Sequence, residues 1–208
     1  MIQPFIRVDG PAAALPEENV DTDIIYPARF LLITARLGLG PYAFHDRRFR
    51  ADGTEVAEFV LNRPEWREAP ILVAGANFGS GSSREQAVWA LLGRGIRCVI
   101  APSFGEIFQA NCYRNGVLPI TLPPAQVAAL SAAAAAAHPF AVDLEAGTVT
   151  VAGRPPIPFS VDLERRLALL NGWDETATLL NAYGADIGTF EERHRRHQPW
   201  LFEGENDA

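Results

Sequence analysis

At 208 residues, with 48% hydrophobic and 21% charged residues, the chain holds enough apolar material for one packed domain and too much for a disordered one. A net charge of −7, with no basic run apart from Arg193, Arg195 and Arg196, excludes the basic face of a nucleic-acid binder. With no apolar run long enough for a membrane span, no signal-peptide pattern and only two cysteines, Cys98 and Cys112, the expectation is a cytoplasmic protein with neither a disulfide scaffold nor a cysteine-held zinc or iron–sulfur site.

In chain order, Phe5 to Val8 reads as a strand, followed by a Pro/Ala loop and an acidic turn, Asn19-Val20-Asp21-Thr22-Asp23. Residues 28 to 45 carry a short helical pattern broken by Gly38 and Gly40, and a further helix is expected around Glu55 to Leu61. The central unit alternates strands and helices. Ile71 to Ala74, Arg97 to Ala101 and Val117 to Leu122 are the strands; Arg84 to Leu92 and Gly105 to Arg114 are the helices between them. That alternation implies parallel strands joined by right-handed crossovers. Pro123-Pro124 opens an Ala-rich helix that ends before His138-Pro139. Phe140 to Leu144 and Thr148 to Val151 alternate in period two as a hairpin, and Phe159 to Val161 is a candidate further strand. An amphipathic helix from Leu163 to Leu170 stops at Asn171-Gly172, and a polar helix follows. With no repeat or long linker, residues 1–208 read as one domain with a frayed tail at about 200–208.

Chemistry concentrates in Gly75 to Arg84, a Gly/Ser turn between a buried strand and a helix, an arrangement that aims backbone N–H groups at an anion. Ser82-Ser83-Arg84-Glu85 also fits a capping box, in which Ser82 and Glu85 would satisfy each other's amides and the serine would need no other role. Gly79 and Gly81 leave room for a ligand, and Arg84 offers a fork suited to a carboxylate. A phosphate loop fails for want of lysine, and the dinucleotide fingerprint fails because Arg84 stands where its third glycine belongs. Asp21-Thr22-Asp23 reads either as an Asx turn capping a helix or as a metal-binding pair. The histidines, His45, His138, His194 and His197, show no ligand spacing.

Three blocks then occur in order: Asp21-Thr22-Asp23-Ile24-Ile25; Asn77-Phe78-Gly79-Ser80-Gly81-Ser82-Ser83-Arg84-Glu85; and Pro102-Ser103-Phe104 with Ile107, Asn111 and Gly116-Val117-Leu118-Pro119. Together with Phe44-His45-Asp46-Arg47-Arg48-Phe49 and Leu170-Asn171-Gly172-Trp173-Asp174 they closely resemble the 3-isopropylmalate dehydratase small-subunit family, over roughly residues 3 to 202. These proteins correspond to the swivelling C-terminal domain of aconitase. The resemblance implies an α/β fold of the swivelling β/β/α type, a small mixed sheet flanked by helices.

It also implies a hydro-lyase of leucine biosynthesis that removes water from a hydroxy-diacid and returns it with the hydroxyl on the neighbouring carbon. Hydroxide is a poor leaving group, so a Lewis acid must hold it. In the family that acid is a 4Fe-4S cluster on a large subunit, so the chain is expected to bind no cofactor and to work in a heterodimer or heterotetramer. By position, Ser82 matches the catalytic serine, Arg84 the carboxylate-gripping arginine, Ser83 its hydrogen-bonding neighbour and Asp23 an active-site aspartate; Arg36 is the candidate second carboxylate-binding base. Ser80 and Gln86 stand where relatives commonly carry cysteine and histidine, and Tyr26 where isoleucine is usual, near the segment expected to shape the substrate pocket. Two alternatives stay open: another alkylmalate or a methyl-substituted tricarboxylate as substrate, or a non-catalytic carboxylate-binding module.

Overall fold

The structure, a computed structural model, describes residues 2–202; the expected tail beyond Phe202 lies outside the described residues. Its centre is strand β1 (Arg7–Leu15), which is longer than the sequence suggests. Pro11 to Ala14, expected as a loop, belongs to this strand because it is claimed from both sides. Ala12 to Leu15 pair in parallel with β2 (Ile71–Ala74), and Arg7 to Pro11 pair antiparallel with β5 (Pro139–Asp143). Pro11, which cannot donate to a ladder, sits where the pairing changes from one neighbour to the other.

Beyond β2 lie β3 (Cys98–Ala101) and β4 (Leu118–Thr121), both parallel, and beyond β5 lie β6 (Thr148–Val151) and β7 (Ile157–Pro158), both antiparallel. The order β4-β3-β2-β1-β5-β6-β7 makes one mixed sheet of seven strands. The last strand falls at 157–158 rather than 159–161, in register with Val149 and Thr148.

Strand periodicity sorts the core into two layers. Leu72, Ala74, Val99 and Ala101 face one side, where α3 (Gln86–Gly93), α4 (Glu106–Asn115) and the segments around 39–44 and 59–69 pack. Ile71, Val73, Cys98 and Ile100 face the other, against Val127, Leu130, Ala133 and Ala134 of α5 (Pro124–Ala135) and Leu169 of α6 (Leu163–Asn171). Helix α4 stops at Gly116 and α6 at Gly172, both in the left-handed conformation that ends a helix at low cost. The helix expected over 55–61 does not form, leaving a 3-10 turn at Val60–Asn62. Val56 gives its N–H to Arg48 O, and Asn62 Nδ2 donates to Val56 O at 2.9 Å, so backbone groups a helix would use are taken by long-range partners.

Between β1 and β2 run two one-turn helices, α1 (Thr22–Ile25) and α2 (His45–Arg48), with 3-10 turns at Ala28–Phe30 and Gly40–Tyr42 in place of the expected helical pattern. The C-terminal helix α7 (Glu175–His197) buries no residue, and no described helix is long and apolar enough to cross a membrane.

Candidate active site

The parallel strands β1, β2 and β3 end at one edge of the sheet, and the loops that leave them stay side by side. Asn19 N–H donates to Ala76 O at 2.8 Å, Gly79 N–H to Val20 O at 2.7 Å and Thr22 N–H to Ser80 O at 2.9 Å. On the other flank Phe78 N–H donates to Ser103 O at 3.1 Å and Gly105 N–H to Phe78 O at 2.9 Å. The three sequence blocks are therefore laced together at the carboxyl ends of the parallel strands, the usual location of a site in an open α/β sheet.

Glycine is required in this lacing. Gly79 has φ +73°, and a Cβ there would run into the ring of Phe108, which packs edge-on against Phe78 with centroids 5.5 Å apart. Gly81, at φ +97°, lets the chain turn back towards α1. That turn sets the serine's partner: Ser82 Oγ lies 2.9 Å from Thr22 Oγ1, and Ser82 N–H donates to the same oxygen at 3.3 Å. Ser82 and Ser83 are exposed, whereas Thr22 is buried.

The capping box does not form. Helix α3 starts at Gln86 with Glu85 as its N-cap, without a side-chain cap bond. The Glu85 carboxylate is taken instead by buried Asn115, whose Nδ2 donates to it at 2.7 Å, and Ser82 is turned to Thr22. Ser82 thus stands several residues before the first turn of α3, not on its positive end. The Asx-turn reading of Asp21 holds: its Oδ1 accepts the Ile24 N–H at 2.8 Å and caps α1.

Arg84, largely buried, forms an ion pair with half-exposed Asp23. Its Nη1 is buried against the Asp23 carboxylate. Asp23 also accepts the Ala28 N–H at 2.8 Å, and the guanidinium of Arg84 holds its carboxyl below the usual carboxylate range. Asp23, Ser82, Ser83 and Arg84 therefore share one open edge of the fold.

Arg36 does not join them. Its guanidinium bonds to Asn115 Oδ1 and lies 5.3 Å from the centroid of the Trp89 ring, on a cleft of about 680 Å³ that Arg97, Arg114 and Asp174 also line. The link back is indirect, through Asn115, which also accepts from Trp89 Nε1 at 2.9 Å and donates to Glu85. Tyr26 lies outside that cleft. It is fully buried, its ring packs near Phe30 and Tyr42, and its hydroxyl donates to Phe30 O at 2.9 Å, propping the 27–31 turn from beneath. Sequence reading missed Thr22 and Asn115. Thr22 lies inside a motif whose carboxylates attract the attention, and Asn115 reads as an ordinary helix stop.

No described group of three or more His, Cys, Asp or Glu side chains could hold a metal. Cys98 on β3 and Cys112 on α4 are fully buried, and burial pushes both thiols well above their ordinary range, which opposes the thiolate an iron–sulfur cluster needs. The residues present do not fit such a cluster.

Comparison with known proteins gives a consistent answer. The family model of the aconitase C-terminal domain matches residues 2–125, and that of the C-terminal domain of the 3-isopropylmalate dehydratase small subunit matches residues 182–204. The 3-isopropylmalate dehydratase small subunit of Cereibacter sphaeroides is 48% identical over 202 residues, covering 96% of this chain and 100% of that protein. Its counterpart from Rhodospirillum centenum is 50% identical over 201 residues, covering 96% and 98%. Among solved structures, a 3-isopropylmalate dehydratase from Methanocaldococcus jannaschii superimposes with a TM-score of 0.63 at 25% identity, covering 88% of this chain and 99% of that one. With the swivelling α/β architecture and the three blocks gathered at one edge, these likenesses place the chain in the 3-isopropylmalate dehydratase small-subunit family.

Proposed function

We propose that the chain is the small subunit of a 3-isopropylmalate dehydratase, interconverting 2-isopropylmalate and 3-isopropylmalate in leucine biosynthesis as one swivelling domain of a cytoplasmic two-chain enzyme. The observation that carries this reading is the gathering of Asp23 with Ser82 and Arg84, from a loop distant in sequence, on one open edge beside a loop whose glycines leave out side chains.

Arg84 grips a substrate carboxylate. Its charge is shared with one half-exposed aspartate at the open edge, so the guanidinium lies where a carboxylate arriving beside Asp23 would meet a cation. Asp23 holds the guanidinium in place and ties the 27–31 turn to the loop. Ser82 moves the proton. As alkoxide it takes the hydrogen on the carbon α to a carboxylate; the C–H electron pair becomes the new double bond as hydroxide leaves the neighbouring carbon. As hydroxyl it later returns a proton when water adds back with the opposite placement. Ser83, exposed beside Ser82, adds a hydroxyl for the substrate.

The 4Fe-4S cluster expected of the family belongs to the large subunit in this reading. It would supply the Lewis acid for the departing hydroxide, and nothing on this chain is assigned to it. An exposed Ser82–Ser83 edge, outside the cleft at Arg36, suits a half-site completed by a partner chain.

The test is reconstitution. The chain mixed with a cluster-bearing large subunit is expected to interconvert the isopropylmalates, with little turnover of citrate or methyl-substituted tricarboxylates and none by either chain alone. Preferred turnover of a tricarboxylate, or tight diacid binding by a chain that never associates with the large subunit, would replace this reading with one of its alternatives.

A further inference from the structure

We infer that Thr22 is a positioning residue for Ser82, a buried hydroxyl that accepts from the Ser82 hydroxyl when it is neutral and donates to the Ser82 oxygen when it is charged. The inference rests on the proposed role of Ser82 and extends it to a residue on another loop.

The hydroxyl of Thr22 has no local task. Helix α1 is capped by Asp21, whose Oδ1 takes the Ile24 N–H, so Thr22 is free of capping duty. Its backbone is fixed on both sides: the N–H donates to Ser80 O at 2.9 Å, and the carbonyl accepts from Tyr26 N–H at 2.9 Å. As the first residue of α1, Thr22 has no preceding helical turn whose carbonyl its hydroxyl could take. Here the hydrogen-bonding contacts of Oγ1 among the described residues are instead with one residue 60 positions away: Ser82 Oγ at 2.9 Å, Ser82 N–H at 3.3 Å and Ser82 O at 3.4 Å. Thr22 is 2% exposed, so the contact is made where water competes poorly, while Ser82 itself faces outward. Gly81 serves this contact through its φ of +97° rather than by clearing space, since a Cβ built on it would come only to 3.6 Å from Thr22 Oγ1.

Counting protons shows what this geometry allows. A threonine hydroxyl has one proton to give and two lone pairs to accept. While Ser82 is protonated, its O–H donates to Thr22 Oγ1, and the Thr22 proton goes to Ser82 O. Once Ser82 has lost its proton it can only accept. Rotation about the Thr22 C–O bond then turns the Thr22 proton from the carbonyl to the Ser82 oxyanion. No proton leaves Thr22, and no group moves beyond a hydroxyl rotation. The bond to the charged form is the stronger of the two, so it favours the alkoxide. This supplies part of what the helix terminus cannot give, since α3 begins only at Gln86.

The experiment uses the reconstituted two-chain enzyme with isopropylmalate and variants at Thr22 and Ser82. Thr22→Val, which keeps the shape and removes the hydroxyl, is expected to lower kcat roughly 10- to 100-fold, the range of a lost hydrogen bond to a charged group, with KM within about twofold. Thr22→Ser, which restores the hydroxyl without the methyl, is expected to recover most of kcat. In a Ser82→Ala background, Thr22→Val is expected to change the residual rate by less than about twofold, because the two residues act as a unit. If Thr22→Val does not assemble, Thr22→Ala removes the same hydroxyl without added bulk and carries the same expectation. Near-normal kcat for Thr22→Val or Thr22→Ala beside an inactive Ser82→Ala overturns the inference and leaves the proposed function standing. A Thr22→Ser enzyme as slow as Thr22→Val assigns Thr22 to packing and overturns it equally. An active Ser82→Ala enzyme removes the role of Ser82 itself.

Discussion

Asp23 accepts one hydrogen bond from the Ala28 N–H and lies against the Arg84 guanidinium, so its charge is held by the chain on two sides. The arginine lowers its pKa, although partial burial works the other way. The pair's contribution is fully present above the unfolded carboxylate value, about 3.9, and is lost as pH falls through the lower folded value. Followed by NMR, the Asp23 carboxyl is expected to titrate below the ordinary range in the wild-type chain and to return towards it in Arg84→Gln. A titration unchanged by that substitution would show that the ion pair does not hold in solution. At this scale the sequence was readable where a motif names a residue, as for Asp23, Ser82 and Arg84. It was opaque where a role depends on which way a hydroxyl or amide turns. Nothing in the spacing of Thr22 and Ser82, or of Asn115 and Glu85, announces their bonds.

Apart from β7, the strands and helices from Ile71 to Asn171 follow closely from local pattern, because each is bounded by glycine, proline or a polar turn. The failures have tertiary causes. Pro11 to Ala14 has loop-like composition but is held extended between two neighbours, with Ala12 and Ala13 buried. Residues 55–61 have helical composition, but Arg48 and Asn62 claim their backbone. Ser82 to Glu85 satisfies a cap pattern, but Thr22 and Asn115 offer better partners. The lacing of the three loops makes an element-scale prediction. Gly79→Ala combines a left-handed φ of +73° with a Cβ directed into the Phe108 ring. The substitution is expected to cost about 3 kcal/mol, read as a lower denaturant midpoint. A change below about 0.5 kcal/mol, the scale of an ordinary surface substitution, would mean that the loop does not pack as described.

Over the whole molecule, β1 divides the sheet into a parallel half and an antiparallel half, and the two do different work. The antiparallel half extends the core layer that the parallel strands form with α5 and α6. The parallel half ends in three laced loops that carry serine, arginine and aspartate to an open edge, while the chain's two cysteines stay sealed inside the fold. That division supports an account in which this chain moves the proton and grips the carboxylate, and a partner completes the site. The most direct test is Ser82→Ala in the reconstituted enzyme, with folding checked by circular dichroism and assembly by co-purification. A folded, assembled enzyme with turnover reduced by at least about 10³-fold is expected, since the proton-transfer group itself is removed. A folded, assembled Ser82→Ala enzyme with near-normal turnover would contradict it.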